Sequence, residues 1–131
     1  MRRILVILTG ALALLTSCVK NAGQDIYCEV TLAASLPSGQ DIVALKVDNT
    51  QPGNYFRNLN TGQEYDFPIF VDGKCRLKVL KGVYLVSFDG VAAMPDGSAR
   101  RVRSAEYSAS LYAVNLLGDQ EELPIHLIVL Q

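Results

Sequence analysis

A single histidine, three cysteines and no concentration of acidic residues limit the chemistry open to this chain of 131 residues. His126 has no second histidine with which to share a metal, and no serine and aspartate at a spacing that builds a nucleophilic triad around it. It reads as an outward or edge residue of the last strand. No Asp-x-Asp-x-Asp run supplies the oxygens a calcium loop needs from one segment. Glycines stand singly at turns, so no loop is built to cradle a phosphate. Basic residues are not in excess, 12 against 13 acidic ones, and the balance points to no nucleic-acid partner. No apolar run reaches the ~20 residues that span a bilayer; the last, Leu123 to Leu130, is interrupted by Pro124 and His126. The expectation is a non-enzymatic chain with no metal and no cofactor.

What is present is most specific at the N-terminus. Arg2 and Arg3 precede an apolar run from Ile4 to Leu15, broken only by Thr9 and Gly10, and small residues then lead to Cys18. A charged start, a short apolar middle and a small-residue end make a secretory signal. Leu15-Thr16-Ser17-Cys18 resembles the lipobox of bacterial lipoproteins. That resemblance implies cleavage before Cys18, acylation of its thiol, and attachment through acyl chains that contribute ~0.8 kcal/mol per buried methylene. The other reading is an ordinary signal with an incidental cysteine. Residues 1–17 are then the signal peptide, 18–24 the lipidated cysteine and tether, and 25–131 a single domain. Proteobacterial lipoproteins retained at the inner membrane carry Asp where this chain has Val19, which implies outer-membrane sorting; the periplasmic and surface sides both stay open. With Arg2 and Arg3 removed, 10 of the 12 basic residues remain against 13 acidic ones, a formal charge of −3. The membrane contact is therefore the lipid, since no polybasic segment remains.

From Asp25 onward, apolar and polar residues alternate with period two, the mark of strands with one buried face. Ile26, Cys28, Val30 and Leu32 share a face, and Pro37-Ser38-Gly39 ends that strand. Val43, Leu45 and Val47 follow. Short strands are expected around Tyr55 to Leu59 and Glu64 to Phe70, with Asn60-Thr61-Gly62 between them and Pro68 forcing the second to an edge or an irregular path. Asp72-Gly73 favours a tight hairpin turn, because both central positions want positive φ. Cys75, Leu77 and Val79 then alternate up to Lys81-Gly82, read as a second short turn, and Tyr84, Val86 and Phe88 continue to Asp89-Gly90. Met94-Pro95-Asp96-Gly97 is a loop and Arg101 to Val114 is extended. Leu116 to Glu122 is a polar turn, and the last strand places Ile125, Leu127 and Val129 on one face. No stretch has helical spacing with caps.

About seven short strands with turns between them predict an all-β fold, an antiparallel β-sandwich. The opening strand, Val47-Asp48-Asn49-Thr50, Thr61-Gly62, Asp72-Gly73-Lys74 and Gly82-Val83-Tyr84-Leu85-Val86 resemble the prealbumin-like (transthyretin-like) sandwich over residues 26–90. Carboxypeptidase regulatory-like domains have this pattern, as do small Bacteroidota lipoproteins encoded near TonB-dependent receptors. The resemblance implies that the strands of Cys28 and Cys75 are neighbours. In an oxidising compartment these two could then form a disulfide; two buried thiols acting as small core residues is the alternative. Arg100, Arg101 and Arg103 form the one basic cluster, with Arg101 and Arg103 on one face, placed for an acidic partner or a phosphate, or else as the charged guard of a solvated edge. Tyr55, Phe56, Tyr65, Phe67 and Phe70 offer either a stacking platform for sugar or peptide or packing over the end of the sandwich. Two functions are expected: an accessory domain bound to an envelope protein, in an envelope or TonB-dependent uptake complex, or a glycan or small-ligand binder using residues 55–70.

Overall fold

Period-two alternation builds strands throughout the described residues of the computed structural model, 26–105 and 113–130, and no helix forms among them. The signal peptide, Cys18 and the tether lie outside the described residues, as does most of the extended stretch expected between Ser104 and Val114. The elements are β1 (Tyr27–Ser35), β2 (Ala44–Val47), β3 (Tyr55–Asn58), β4 (Glu64–Tyr65), β5 (Phe70–Val71), β6 (Lys74–Leu80), β7 (Gly82–Ser87), β8 (Asp89–Ala93), β9 (Ala99–Ser104), β10 (Val114–Leu116) and β11 (Gln120–Leu130).

Two sheets result. Seven strands, in the order β1-β11-β9-β8-β2-β5-β6, close into a barrel through the β1–β6 ladder, and β10-β7-β3-β4 make a four-stranded second sheet. The all-β expectation holds, but the larger sheet is mixed and closed where an antiparallel sandwich was expected. β1 runs parallel to β11, Glu29 beside Gln120 through Ser35 beside His126. Alternation fixes which face of a strand is buried and says nothing of which distant strand lies alongside, or in which direction.

Inward residues of both sheets merge into one core. Val30, Leu32, Leu45, Phe70, Val79, Ile125 and Leu127 fill it from the barrel, and Phe56, Tyr84, Val86 and Leu116 from the second sheet. Three expected core residues face out: Ile26 is 51% exposed, Val43 48% and Val129 45%. Ile26 and Val43 directly precede β1 and β2, where the strand phase is not yet imposed, and Ile42 takes the buried place instead. The backbone of Val43 is nonetheless held, its N–H donating to Ala93 O at 2.9 Å and its carbonyl accepting from Asp72 N–H at 3.0 Å.

The Asp72-Gly73 turn forms as its chemistry requires, with φ of 53° and 78° at its two central residues and Val71 opposite Lys74. Lys81-Gly82, expected to be a second hairpin turn, is instead a corner at which the chain leaves β6 in the barrel and enters β7 in the other sheet. Gly82 is required there because a Cβ would stand 2.6 Å from Asn60 Oδ1 and 2.9 Å from Asn58 Nδ2. Pro68 falls between β4, an edge of the second sheet, and β5. Pro124 lies where β11 has β1 on one side and, among the described residues, no β9 ladder partner on the other. Neither ring removes a ladder hydrogen bond that its strand needs.

Candidate functional site

The aromatic segment is mostly core. Phe56 is fully buried in β3, its ring centroid 4.8 Å from that of Tyr84 in an edge-to-face contact and 6.3 Å from that of Tyr65. Phe67 and Phe70 both pack on Phe88, at 5.0 and 6.0 Å. Tyr65 is half-buried, and its hydroxyl accepts the Leu80 N–H at 3.1 Å. Inward phase in a two-sheet fold puts these rings in the apolar core, so Phe56 and Tyr65 do not form the stacking face considered for them. Tyr55 alone points outward, with the Arg57 guanidinium 4.3 Å from its ring centroid.

Cys28 and Cys75 are buried free thiols. Their strands, β1 and β6, are neighbours, but the register pairs Cys28 with Val79 and Cys75 with Leu32. A four-residue offset at ~3.3 Å per residue separates them by roughly 13 Å, well beyond the ~4.4–6.8 Å that a disulfide spans. The disulfide reading is corrected accordingly. Burial raises the pKa of both thiols, that of Cys75 to about 12, and Glu121 adds to the effect at Cys28. Both are held protonated and unreactive.

The basic cluster lies on the outer face of the barrel. On β9, Val102 points into the core while Arg101 and Arg103 point out. The β8–β9 register sets Asp89 opposite Arg103 and Val91 opposite Arg101. Arg103 donates to both oxygens of the Asp89 carboxylate, from Nε at 2.7 Å and from Nη2 at 3.0 Å, a fork that holds the carboxylate below its usual range and the guanidinium above. Arg103 is therefore committed within the fold. Arg101 makes no ion pair among the described residues. The β2–β8 ladder adds Lys46 on the far side of Val91, so one row across three strands reads Lys46, Val91, Arg101 with an exposed aliphatic between two cations.

Beside this row runs an open groove of about 850 Å³, walled by the loop between β2 and β3. That loop is fixed by its own polar groups. Thr50 N–H and Oγ1 donate to Asp48 Oδ1 at 3.0 and 2.6 Å, and the latter bonds hold the Asp48 carboxyl below its ordinary range. Asn54 Nδ2 donates to Asp48 O at 2.9 Å, while Asn54 Oδ1 accepts the Asp89 N–H at 2.9 Å and ties the loop to β8. A pre-formed wall next to two cations and an exposed valine suits an acidic segment with some apolar character. Lys46, Asp89 and Asn54 belong to this site and were not legible as such. The outward phase of Lys46 was readable, but β2 and β9 meet only through β8, and no local signal gives that order.

His126 stands on the outer face of β11, with its Nδ1 3.4 Å from Ser35 Oγ, long for a hydroxyl–imidazole bond. No group of three or more His, Cys, Asp or Glu among the described residues could hold a metal ion. No protein-family model, no curated protein and no solved structure matches this chain.

Proposed function

We propose that this chain is a non-enzymatic outer-membrane lipoprotein, anchored through Cys18, whose β domain binds an acidic segment of an envelope protein, in an envelope or TonB-dependent uptake complex, along the outer face of β2, β8 and β9. The observation that carries the binding half is the Lys46–Val91–Arg101 row. Its two cations are not consumed by ion pairs among the described residues, whereas Arg103 beside them is. The anchoring half rests on the order Arg2-Arg3, apolar run, Leu15-Thr16-Ser17-Cys18. Within the same proposal the finer fold assignment is a prealbumin-like domain, supported by the Asp72-Gly73 turn.

The test is capture of the full-length lipidated protein from its native envelope in detergent, with quantitative mass spectrometry of what accompanies it. The expected result is one envelope protein in near-stoichiometric yield, and at least about a tenfold loss of it with Lys46→Glu, Arg101→Glu, since like charges set against an acidic partner cost several kcal/mol and ~1.4 kcal/mol is already tenfold. Both positions are exposed, so the variant keeps its core. Equal recovery from wild type and variant would remove this face from consideration.

A further inference from the structure

The barrel has two unlike ends, and the chain reaches one of them from the anchor. Ile26 is eight residues beyond Cys18. At ~3.3–3.6 Å per residue a fully stretched tether spans at most ~29 Å, so the end of the domain bearing Ile26 is leashed to the bilayer.

That end carries a cluster of exposed apolar side chains around the Lys81–Gly82 corner. Ile26 O accepts the Lys81 N–H at 2.9 Å, and Tyr27 sits opposite Leu80. The β7–β10 ladder ends with Leu116 opposite Gly82, which brings Leu117 to the corner, and Leu59 N–H donates to Val83 O at 2.7 Å. Ile26, Leu117, Leu59 and Tyr27 are 51, 61, 47 and 37% exposed. Lys78 lies over the Tyr27 ring, its Nζ 5.0 Å from the centroid, and Lys81 Nζ is paired with Asp119 Oδ1 at 2.7 Å. Lys81 and Asp119 cancel and Lys78 leaves one positive charge, so what the end presents is aliphatic surface bordered by a tyrosine and a lysine.

We propose that this end docks on the lipid surface, with Ile26, Leu59 and Leu117 at the boundary of headgroups and acyl chains and Tyr27 and Lys78 at headgroup level. This inference rests on the lipid-anchor reading above. Tyrosine and lysine suit that border because each buries an apolar body while its polar tip stays wet. The tether makes the contact intramolecular, at an effective concentration near millimolar, so a weak apolar contact is enough to orient the domain. β11 begins at Gln120, beside Glu29, and ends at Leu130, beside Arg101, so docking turns the Arg101 end away from the membrane.

The experiment uses the full-length protein purified from membranes and reconstituted into phosphatidylethanolamine–phosphatidylglycerol vesicles, with a nitroxide attached at L117C or, for the opposite end, at V71C. The buried Cys28 and Cys75 do not compete for the label. The expected result is that the label at 117 relaxes more with oxygen than with a water-soluble nickel reagent, at a ratio several-fold above that for the label at 71. If L117C loses the β-sheet circular dichroism of the wild type, L59C takes its place. Equal ratios at the two ends overturn the docking. Intact mass of the same sample separates the two ideas: an acylated Cys18 with an aqueous label at 117 removes the docking alone, and an unacylated Cys18 removes the anchor and the docking with it.

Discussion

Tyr84 is fully buried and its hydroxyl is used twice, donating to Leu80 O at 2.5 Å and accepting from Asn58 Nδ2 at 3.0 Å. Asn58, equally buried, turns its Oδ1 to the N–H groups of Asn60 and Thr61, at 2.8 and 3.1 Å. This network satisfies the backbone at the point where the chain changes sheets. Tyr84→Phe leaves a buried carbonyl and an amide hydrogen without partners, and the expected cost is about 1–3 kcal/mol, read from the urea midpoint at unchanged slope. An unmoved midpoint would mean that the network contributes nothing to stability. The buried thiols give a second expectation at this scale. Cys75 has its pKa pushed up to about 12 by burial, above the ~8.5 of an unfolded cysteine. Stability from that shift is complete below about pH 8.5 and lost as pH rises toward 12, because the unfolded chain releases the proton first. Tyr84, also raised to about 12, acts in the same direction from a higher starting point. Urea titrations between pH 8 and 11 should show stability falling, less steeply in Cys75→Ala, and intact mass should not change on reduction.

The β5–β6 hairpin shows what an element can owe to two residues. β5 is only Phe70–Val71, yet it joins β2 to β6 and so closes the barrel. Its turn needs positive φ at Asp72 and Gly73, and a Cβ at Gly73 would also come 3.1 Å from Ala34 O. Gly73→Ala should therefore lower stability by ~1–2 kcal/mol, the cost of an L-residue in the left-handed region, while Asp72→Gly stays near neutral. Matched urea curves for the two variants check this; equal losses would place the effect elsewhere in the turn. This turn was legible in the sequence because its requirement is local to two residues. Lys81-Gly82 was not, since a tight glycine serves a hairpin or a corner alike and the choice depends on Asn58, more than twenty residues away. The outward phase of Arg101 and Arg103 followed from period two. That Asp89 neutralises Arg103 did not, because their pairing depends on the length and path of the loop at Met94–Gly97. Phe56 and Tyr65 carried both readings in the sequence, and only the packing of the barrel against the sheet that holds β3 and β4 decides for the core.

At the scale of the molecule, the feature least visible in the sequence is the one that completes the fold. β1 and β11 come from opposite ends of the described chain and run side by side in parallel, with β9 on the other flank of β11. β11 supplies Leu123, Ile125 and Leu127 to the core, each nearly inaccessible. At ~1.5–3 kcal/mol for each fully buried side chain, these three account for roughly 5–9 kcal/mol, comparable with the ~5–15 kcal/mol that separates a folded domain from its unfolded chain. Their loss would also leave two ladders, one on β1 and one on β9, without partners in an otherwise edge-free barrel. Truncation after Gly118 should therefore abolish cooperative urea unfolding altogether, a different outcome from the graded loss expected of any point variant. The intact chain should refold slowly, on the millisecond-to-second scale, since its decisive contacts are between strands far apart in sequence. A truncated chain that still unfolds in one sharp transition would show that β1, β6 and the second sheet form a core without the last strand, and that the barrel closes around a domain already made.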